Sequence, residues 1–241
     1  MKSFFTSLAY PFRGVAYFLR RPALWKYFAA AFAINVVLFV VLTILFLKYR
    51  VALVDWITPD RFWKWAQVAI EWIFTGIVAL LALFLFTIVG NLLASPFLDA
   101  MTERILTDLG EALPPSRGPV KAFLRALRNQ SVKLAFFAVI QVLLLLLWII
   151  PVVGILHPPL SAIFTILFLG FEYVDYPLDA RQLSVPRRFE WMVGHPGATL
   201  AFGLVLFPIF LIPFVGYACL PLAVAGASLL VHDIDSRERS G

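Results

Sequence analysis

Two short motifs carry the residue types from which an anion site inside a membrane can be built. Ile150-Pro151-Val152-Val153-Gly154, followed by Pro159-Leu160, returns as Ile212-Pro213-Phe214-Val215-Gly216, followed by Pro221-Leu222, with every matched position displaced by 62 residues. Each copy is a Pro-x-x-Gly turn with a second proline where a returning helix would begin. Pro159 and Pro221 fit the first turn of such helices, where a missing N–H costs nothing. A helix N-terminus presents unpaired N–H groups and a partial positive charge, which can replace part of the hydration of an oxyanion. Interrupted helices at matching positions of a repeat are a recurrent way of placing that charge at membrane depth. Ser161 adds a hydroxyl to the first copy, where the second has Ala223. The same prolines would equally serve to fix turn geometry for packing.

Other polar residues suggest less. Glu172, Asp175 and Asp179 fall on one helical face, and three carboxylates could bind a metal or relay protons. Pro177 is expected to interrupt that helix at the membrane interface, which favours capping and salt bridges to Arg181, Arg187 or Arg188. Imidazole is the side chain that exchanges protons near neutral pH, and His157 places one in the first motif. Its counterpart is Cys219, so the repeat supports no shared site. Asn91, next to Gly90, suits a buried structural hydrogen bond. Lys121, Arg125 and Arg128 share a face, read as solvated or headgroup-facing rather than as a substrate site. No H-E-x-x-H, G-x-S-x-G or Walker lysine motif occurs. The sequence therefore predicts no enzyme, no catalytic residue, no metal and no cofactor, and any transport is expected to be passive or driven by an ion gradient unless a partner supplies energy.

The elements that must position these residues follow from hydropathy. With 62% apolar and 14% charged residues and a mean hydropathy of +0.91, the chain has the composition of an integral membrane protein. Its single cysteine offers no disulfide framework. The apolar run after the basic start lacks a cleavage pattern and reads as a span that stays. One membrane domain is expected over residues 1–241, with spans at 27–47 and 73–94, a cytoplasmic helical segment at 95–133, a hairpin at 134–171, a cytoplasmic connector at 172–197, a second hairpin at 198–231 and a tail at 232–241. Trp56, Trp63, Trp65 and Trp72 mark an interfacial belt. Neither hairpin turn carries a charge, which favours helix pairs that are re-entrant or partly penetrating. Arms of 15 to 17 residues stand near the lower limit for a full crossing. If both hairpins begin and end on one face, that face collects 16 of the 20 basic residues, so both termini are expected in the cytoplasm.

Three blocks carry a family resemblance. Gly90-Asn91-Leu92-Leu93-Ala94-Ser95-Pro96-Phe97 resembles the N-x-x-A-x-P-F signature of the CysZ-type sulfate permeases, the bacterial branch of the etoposide-induced membrane protein family. Tyr173-Val174-Asp175-Tyr176-Pro177-Leu178-Asp179 is similar to that family's Y-x-D-Y-P-x-D segment, and the run from Ile212 through Ala227 to its final hairpin. Asn91, Pro96, Asp175, Tyr176, Pro177 and Asp179 are the signature positions. The resemblance implies an all-α fold of two long transmembrane helices plus two Pro/Gly-turn hairpins, assembly as a homo-oligomer in the lipid bilayer of the bacterial inner membrane, and sulfate import for cysteine synthesis. It also implies a basic pair before the first span, where this chain has Trp25-Lys26. Trp25 cannot supply the planar fork with which arginine grips oxyanions, which leaves Lys26, with Arg20 and Arg21 one helical turn earlier, as the anion-binding residues. Pro151, Gly154, Pro159, Ser161, Pro213, Gly216 and Pro221 would line a pathway. Two functions are expected to compete: a channel-like or ion-gradient-driven permease for sulfate or a related oxyanion, and a non-transporting scaffold of the same fold whose basic face binds lipid or a partner. Neither involves nucleic acid.

Overall fold

The computed structural model describes residues 2–57, 64–115, 119–149 and 153–240, and among them every regular element is helical. In order these are α1 (Lys2–Ser7), α2 (Tyr10–Leu19), α3 (Trp25–Ile57), α4 (Lys64–Asp108), α5 (Pro119–Leu145), α6 (His157–Ala180), α7 (Val185–Gly194), α8 (Pro196–Phe210) and α9 (Pro213–Ser240), with short 3-10 turns at Pro22–Leu24, Leu146–Ile149 and Val153–Leu156. Among the described residues four stretches are long and apolar enough to cross a membrane: Pro22–Tyr49, Leu124–Ile149, Val153–Ala180 and Ala218–Ser240. The chain is an all-α integral membrane protein. Contacts divide it into two compact units, Ala30–Ala94 on the one hand and Met1–Ala29 with Ser95–Gly241 on the other.

In the Ala30–Ala94 unit a single amide organises the packing. Asn35 is buried, and its Nδ2 donates to the Ala31 carbonyl at 2.9 Å. A side chain at Gly90 would run into Asn35 Oδ1, so glycine lets the α4 backbone close over that amide. Phe39 and Phe86 meet edge to face with centroids 5.8 Å apart. Val36, Val37, Val40, Val41 and Ile44 remain exposed, an apolar face suited to lipid.

In the other unit α9 is the centre. Its Leu220, Val224, Ala227, Leu230 and Val231 are buried, with α2, α6 and α8 packed around them. Small residues permit the approach, as is usual where lipid gives no hydrophobic reward for association. A Cβ on Gly226 would lie 2.7 Å from the Tyr10 carbonyl oxygen, and one on Gly170 or Gly203 would strike the Thr199 or Ile166 carbonyl across the α6–α8 crossing. Gly110 ends α4 with φ 89°, a conformation open to glycine at little cost.

Several boundaries differ from those the sequence suggested. Pro96 and Pro177 lie inside α4 and α6 rather than ending them. Membrane helices tolerate proline where neighbouring groups take up the freed backbone, and α6 continues because partners on α5 and α7 neutralise its carboxylates. The arms of the first hairpin are consequently 26 and 28 residues long, enough to cross. In the second hairpin α8 has only 15 residues, roughly 22 Å against the roughly 30 Å of a hydrocarbon core. It joins α7 at a 90° bend, the geometry of a broken or re-entrant span. The two sequence motifs also fold differently. In the first copy two 3-10 turns precede α6, whereas in the second the turn falls at Leu211–Ile212 and Pro213 itself opens α9. Pro221 is therefore inside α9 and not in its first turn.

Gly203→Ala should cost about 1–3 kcal/mol in detergent unfolding experiments. Gly76→Ala, where nothing lies within 4 Å of the added carbon, should cost nothing.

Candidate functional site

The densest polar chemistry lies where α5, α6 and α7 meet. Along α5, Arg125, Asn129 and Lys133 recur every four residues; along α6, Glu172, Asp175 and Asp179 recur at three and four, so each set forms one stripe. The stripes face each other. Lys133 Nζ lies 3.0 Å from Glu172 and 3.1 Å from Asp175. Arg125 Nη1 lies 3.4 Å from Asp179, and Asn129 Nδ2 donates to the same carboxylate at 3.2 Å. From α7, Arg188 Nη1 bridges Asp175 at 2.9 Å and Asp179 at 3.1 Å. Phe189 beside it packs on Phe136 and Phe171, each with centroids 4.9 Å away, which fixes the depth to which α7 inserts Arg188.

Burial makes this cluster unusual. Arg188 is 2% exposed, Asp175 6% and Lys133 7%, and a buried charge is tolerated only when paired. The three cations balance the three carboxylates of α6, yet two buried atoms remain unused: Arg188 Nε and Asn129 Oδ1 have no partner among the described residues. A guanidinium with a spare donor beside a lysine can hold an anion bidentately if a carboxylate gives way. Asp99 on α4 sits nearby, its Oδ2 accepting a bond from Ser95 Oγ at 3.4 Å. Burial, then the negative charges of Asp179 and Asp175 against the opposing pull of Lys133, push its carboxyl up to about 7. The Tyr176 hydroxyl is hydrogen-bonded to Ser95.

A second cluster fastens the end of α9. Arg181 takes Glu111 with two bonds, at 2.7 and 2.9 Å, and also pairs with Asp235. Trp191 Nε1 donates to Asp235 at 2.9 Å, His232 meets Glu111 at 2.6 Å, and the Tyr10 hydroxyl donates to Asp233 at 2.7 Å. Burial alone would raise the Glu111 carboxyl, but its bonds from Arg181 and His232 bring it below the usual range.

The residues singled out from sequence are dispersed. Arg21 is engaged, 2.5 Å from Asp108 and over the Tyr17 ring. Arg20 and Lys26 are exposed and carry no carboxylate partner among the described residues, with the Lys26 ammonium 5.0 Å from the Tyr27 centroid. Trp25 is exposed. Ser161 donates to Gln141 at 2.8 Å. Gly154 lies in the Val153–Leu156 turn, Pro159 in the first turn of α6, and Pro213 and Gly216 in the first turn of α9. Pro151 and the side chain of Asn91 lie outside the described residues. Asp175 and Asp179 join the buried network, paired through Arg188 but not through Arg181. Asn129, Lys133 and Gln141 were not anticipated, and Arg125 turns inward instead of facing headgroups. The four-residue spacing that carries Arg125 on to Asn129 and Lys133, set opposite the acidic stripe, was the available signal.

Comparison with known proteins bears on what this network serves. The family described as Sulfate transporter CysZ/Etoposide-induced protein 2.4 matches residues 10–221. The chain belongs to this family. A relative named sulfate transporter CysZ from Pseudomonas fluorescens is 32% identical over 216 residues, 86% of each chain. Its namesake from Pseudomonas syringae pv. tomato is 30% identical over 214 residues, 86% of this chain and 85% of the relative. Both are named as transporters, not enzymes. As a CysZ-family member the chain is a multi-pass bacterial membrane protein in a lipid bilayer.

Asp99 yields a signed prediction. Its carboxyl stays protonated in the fold over a range where the unfolded chain has ionised, so it draws stability down as pH rises from the ordinary carboxylate range through about 7. Asp99→Asn should flatten the fall in melting temperature between about pH 5 and about pH 8 and leave the variant the more stable at the upper end.

Proposed function

We propose that this protein moves sulfate, or an oxyanion of the same shape, across the bacterial cytoplasmic membrane to supply sulfur assimilation. The observation that carries the reading is the meeting of buried Lys133 and Arg188 and half-buried Arg125 with three carboxylates, in a family whose named relatives are sulfate transporters. A dianion entering a low-dielectric layer must exchange its hydration for fixed donors. Here cations are held ready at membrane depth, and the carboxylates keep them neutral while no substrate is present. An arriving oxyanion displaces a carboxylate from a guanidinium or ammonium, so the charge count of the buried layer changes little at each exchange. Bidentate geometry favours tetrahedral oxyanions over chloride.

Arg20 and Lys26, exposed at the head of the first span on the side of the termini, bind the anion as it leaves this layer. Both termini face the cytoplasm, because, with the buried-layer cations Arg125, Lys133 and Arg188 set aside, that orientation puts 13 of the remaining 17 basic residues there. The sequence holds no nucleotide-binding loop, so movement runs down the anion's own gradient, as in a channel, or is coupled to an ion gradient. Homo-oligomers are the assembled form.

Uptake of labelled sulfate into proteoliposomes tests the reading. Folded protein should load vesicles above empty controls; no loading would leave the buried network as a structural clasp and the protein as a scaffold. Lys26→Ala should raise the half-saturating sulfate concentration about tenfold, the worth of one charge-assisted hydrogen bond, while Arg20→Ala combined with it should weaken binding further.

A further inference from the structure

The stripes that carry the charged network do not end with it. Continuing along α5 by four, Lys133 is followed by Phe137 and then Gln141; continuing along α6 away from Glu172 come Phe168, Thr165, Ser161 and His157, at helical steps of three and four. These residues also meet across the hairpin. Gln141 Nε2 donates to Thr165 Oγ1 at 3.0 Å and its Oε1 accepts from Ser161 Oγ at 2.8 Å. Trp148 contacts the His157 ring edge to face at 5.8 Å, and His157 Nδ1 is buried with no hydrogen-bond partner among the described residues. Between the charged and neutral stretches stands an aromatic layer: Phe137 stacks on Phe164 at 5.6 Å and lies 4.8 Å from Phe168.

We infer that the seam between α5 and α6 is the route of the anion through the protein, with Phe137, Phe164 and Phe168 forming its gate and Gln141, Ser161, Thr165 and His157 its uncharged half. The inference rests on the transport reading above. From His157 to Asp179 the seam runs roughly 33 Å at about 1.5 Å per residue, the thickness of a hydrocarbon core. Its neutral half supplies hydroxyl, amide and imidazole donors, which can hydrogen-bond an oxyanion without trapping it. Helix–helix glue alone would account for the Gln141 bonds, but not for an imidazole nitrogen buried at the far end with its bonding capacity unspent. Three phenyl rings closing a polar track exclude water and ions until they move apart, a hydrophobic constriction of the kind that gates by dewetting. The flanking residues Val139, Val142 and Ile163 are apolar and exposed, whereas Phe137, Gln141, Ser161 and Thr165 along the seam are half-buried.

The experiment uses full-length protein in liposomes with Cys219→Ser as background, and single cysteines introduced by Ser161→Cys and, as a lipid-facing control, Ile163→Cys. A small anionic methanethiosulfonate should modify Ser161→Cys at least about tenfold faster than Ile163→Cys, and sulfate should slow that modification. Adding Phe137→Ala should speed it several-fold and raise sulfate flux, while Phe137→Leu, which keeps an apolar plug, should restore slow modification. Equal rates at the two cysteines, with no protection by sulfate, would overturn the seam even if wild-type vesicles accumulate sulfate. Conversely, fast and sulfate-protected modification in vesicles that accumulate none would uphold the seam as an anion path while removing net transport.

Discussion

Two cations buried among carboxylates, Lys133 and Arg188, with half-buried Arg125 beside them, set the terms for the rest of this fold. In a medium of low dielectric constant an unpaired charge is prohibitively expensive, so Lys133, Arg125 and Arg188 can be where they are only if α5, α6 and α7 are brought together at the same depth. The sharp bend between α7 and α8 follows from this requirement. A straight continuation would carry Arg188 away from Asp175 and Asp179, whereas the 90° turn lays α7 across the end of α6. The phenyl ring of Phe189 then holds it in place between Phe136 and Phe171. Replacing such a network by apolar side chains is often no loss to stability, which points to its retention for something other than cohesion.

Cohesion comes instead from close backbone contact. Gly14 against Gly226, and Gly170 against Gly203, let helices approach to distances that any side chain would prevent, and α9 lies at the centre of these crossings. Where lipid is as apolar as the protein interior, dispersion at such contacts replaces the hydrophobic effect as the source of association. The same helix ends in a group of polar residues that bond to α2, to Glu111, to Arg181 after α6 and to Trp191 on α7. The unit is thus packed by glycines at membrane depth and clasped by ion pairs at one end.

Much of the architecture was legible in the sequence, because hydropathy over twenty residues is a strong signal. The first span, the helical pairs and the absence of strands among the described residues follow from it. Proline was the misleading residue: Pro96, Pro177 and Pro221 read as boundaries but lie within helices, since membrane surroundings and neighbouring helices relieve the cost that a soluble helix would bear. The repeat of Pro-x-x-Gly was real as a pattern of letters, yet Pro151 falls outside the described residues and Pro213 opens a helix instead of ending one. The charged network was half visible. The acidic stripe on α6 and its partner Arg188 are readable in the sequence, but its other partners lie on α5. Lys133 on α5 is 39 residues before Glu172, and only the antiparallel return of the hairpin brings the two stripes into register. Gln141 was hidden for a related reason: a lone amide in an apolar run gains meaning only when Ser161 and Thr165 are seen opposite it.

The bond between Tyr10 and Asp233 joins residues 223 apart in the chain. The carboxylate that receives the α2 hydroxyl and the glycine against which Gly14 packs both lie far downstream of α2, on α9. Contacts of such long sequence separation close slowly, after the loop entropy has been met. Until α9 is made, the Tyr10 hydroxyl lacks its acceptor and Gly14 its packing partner. Helix α2 is therefore made before α9 and docks only after it.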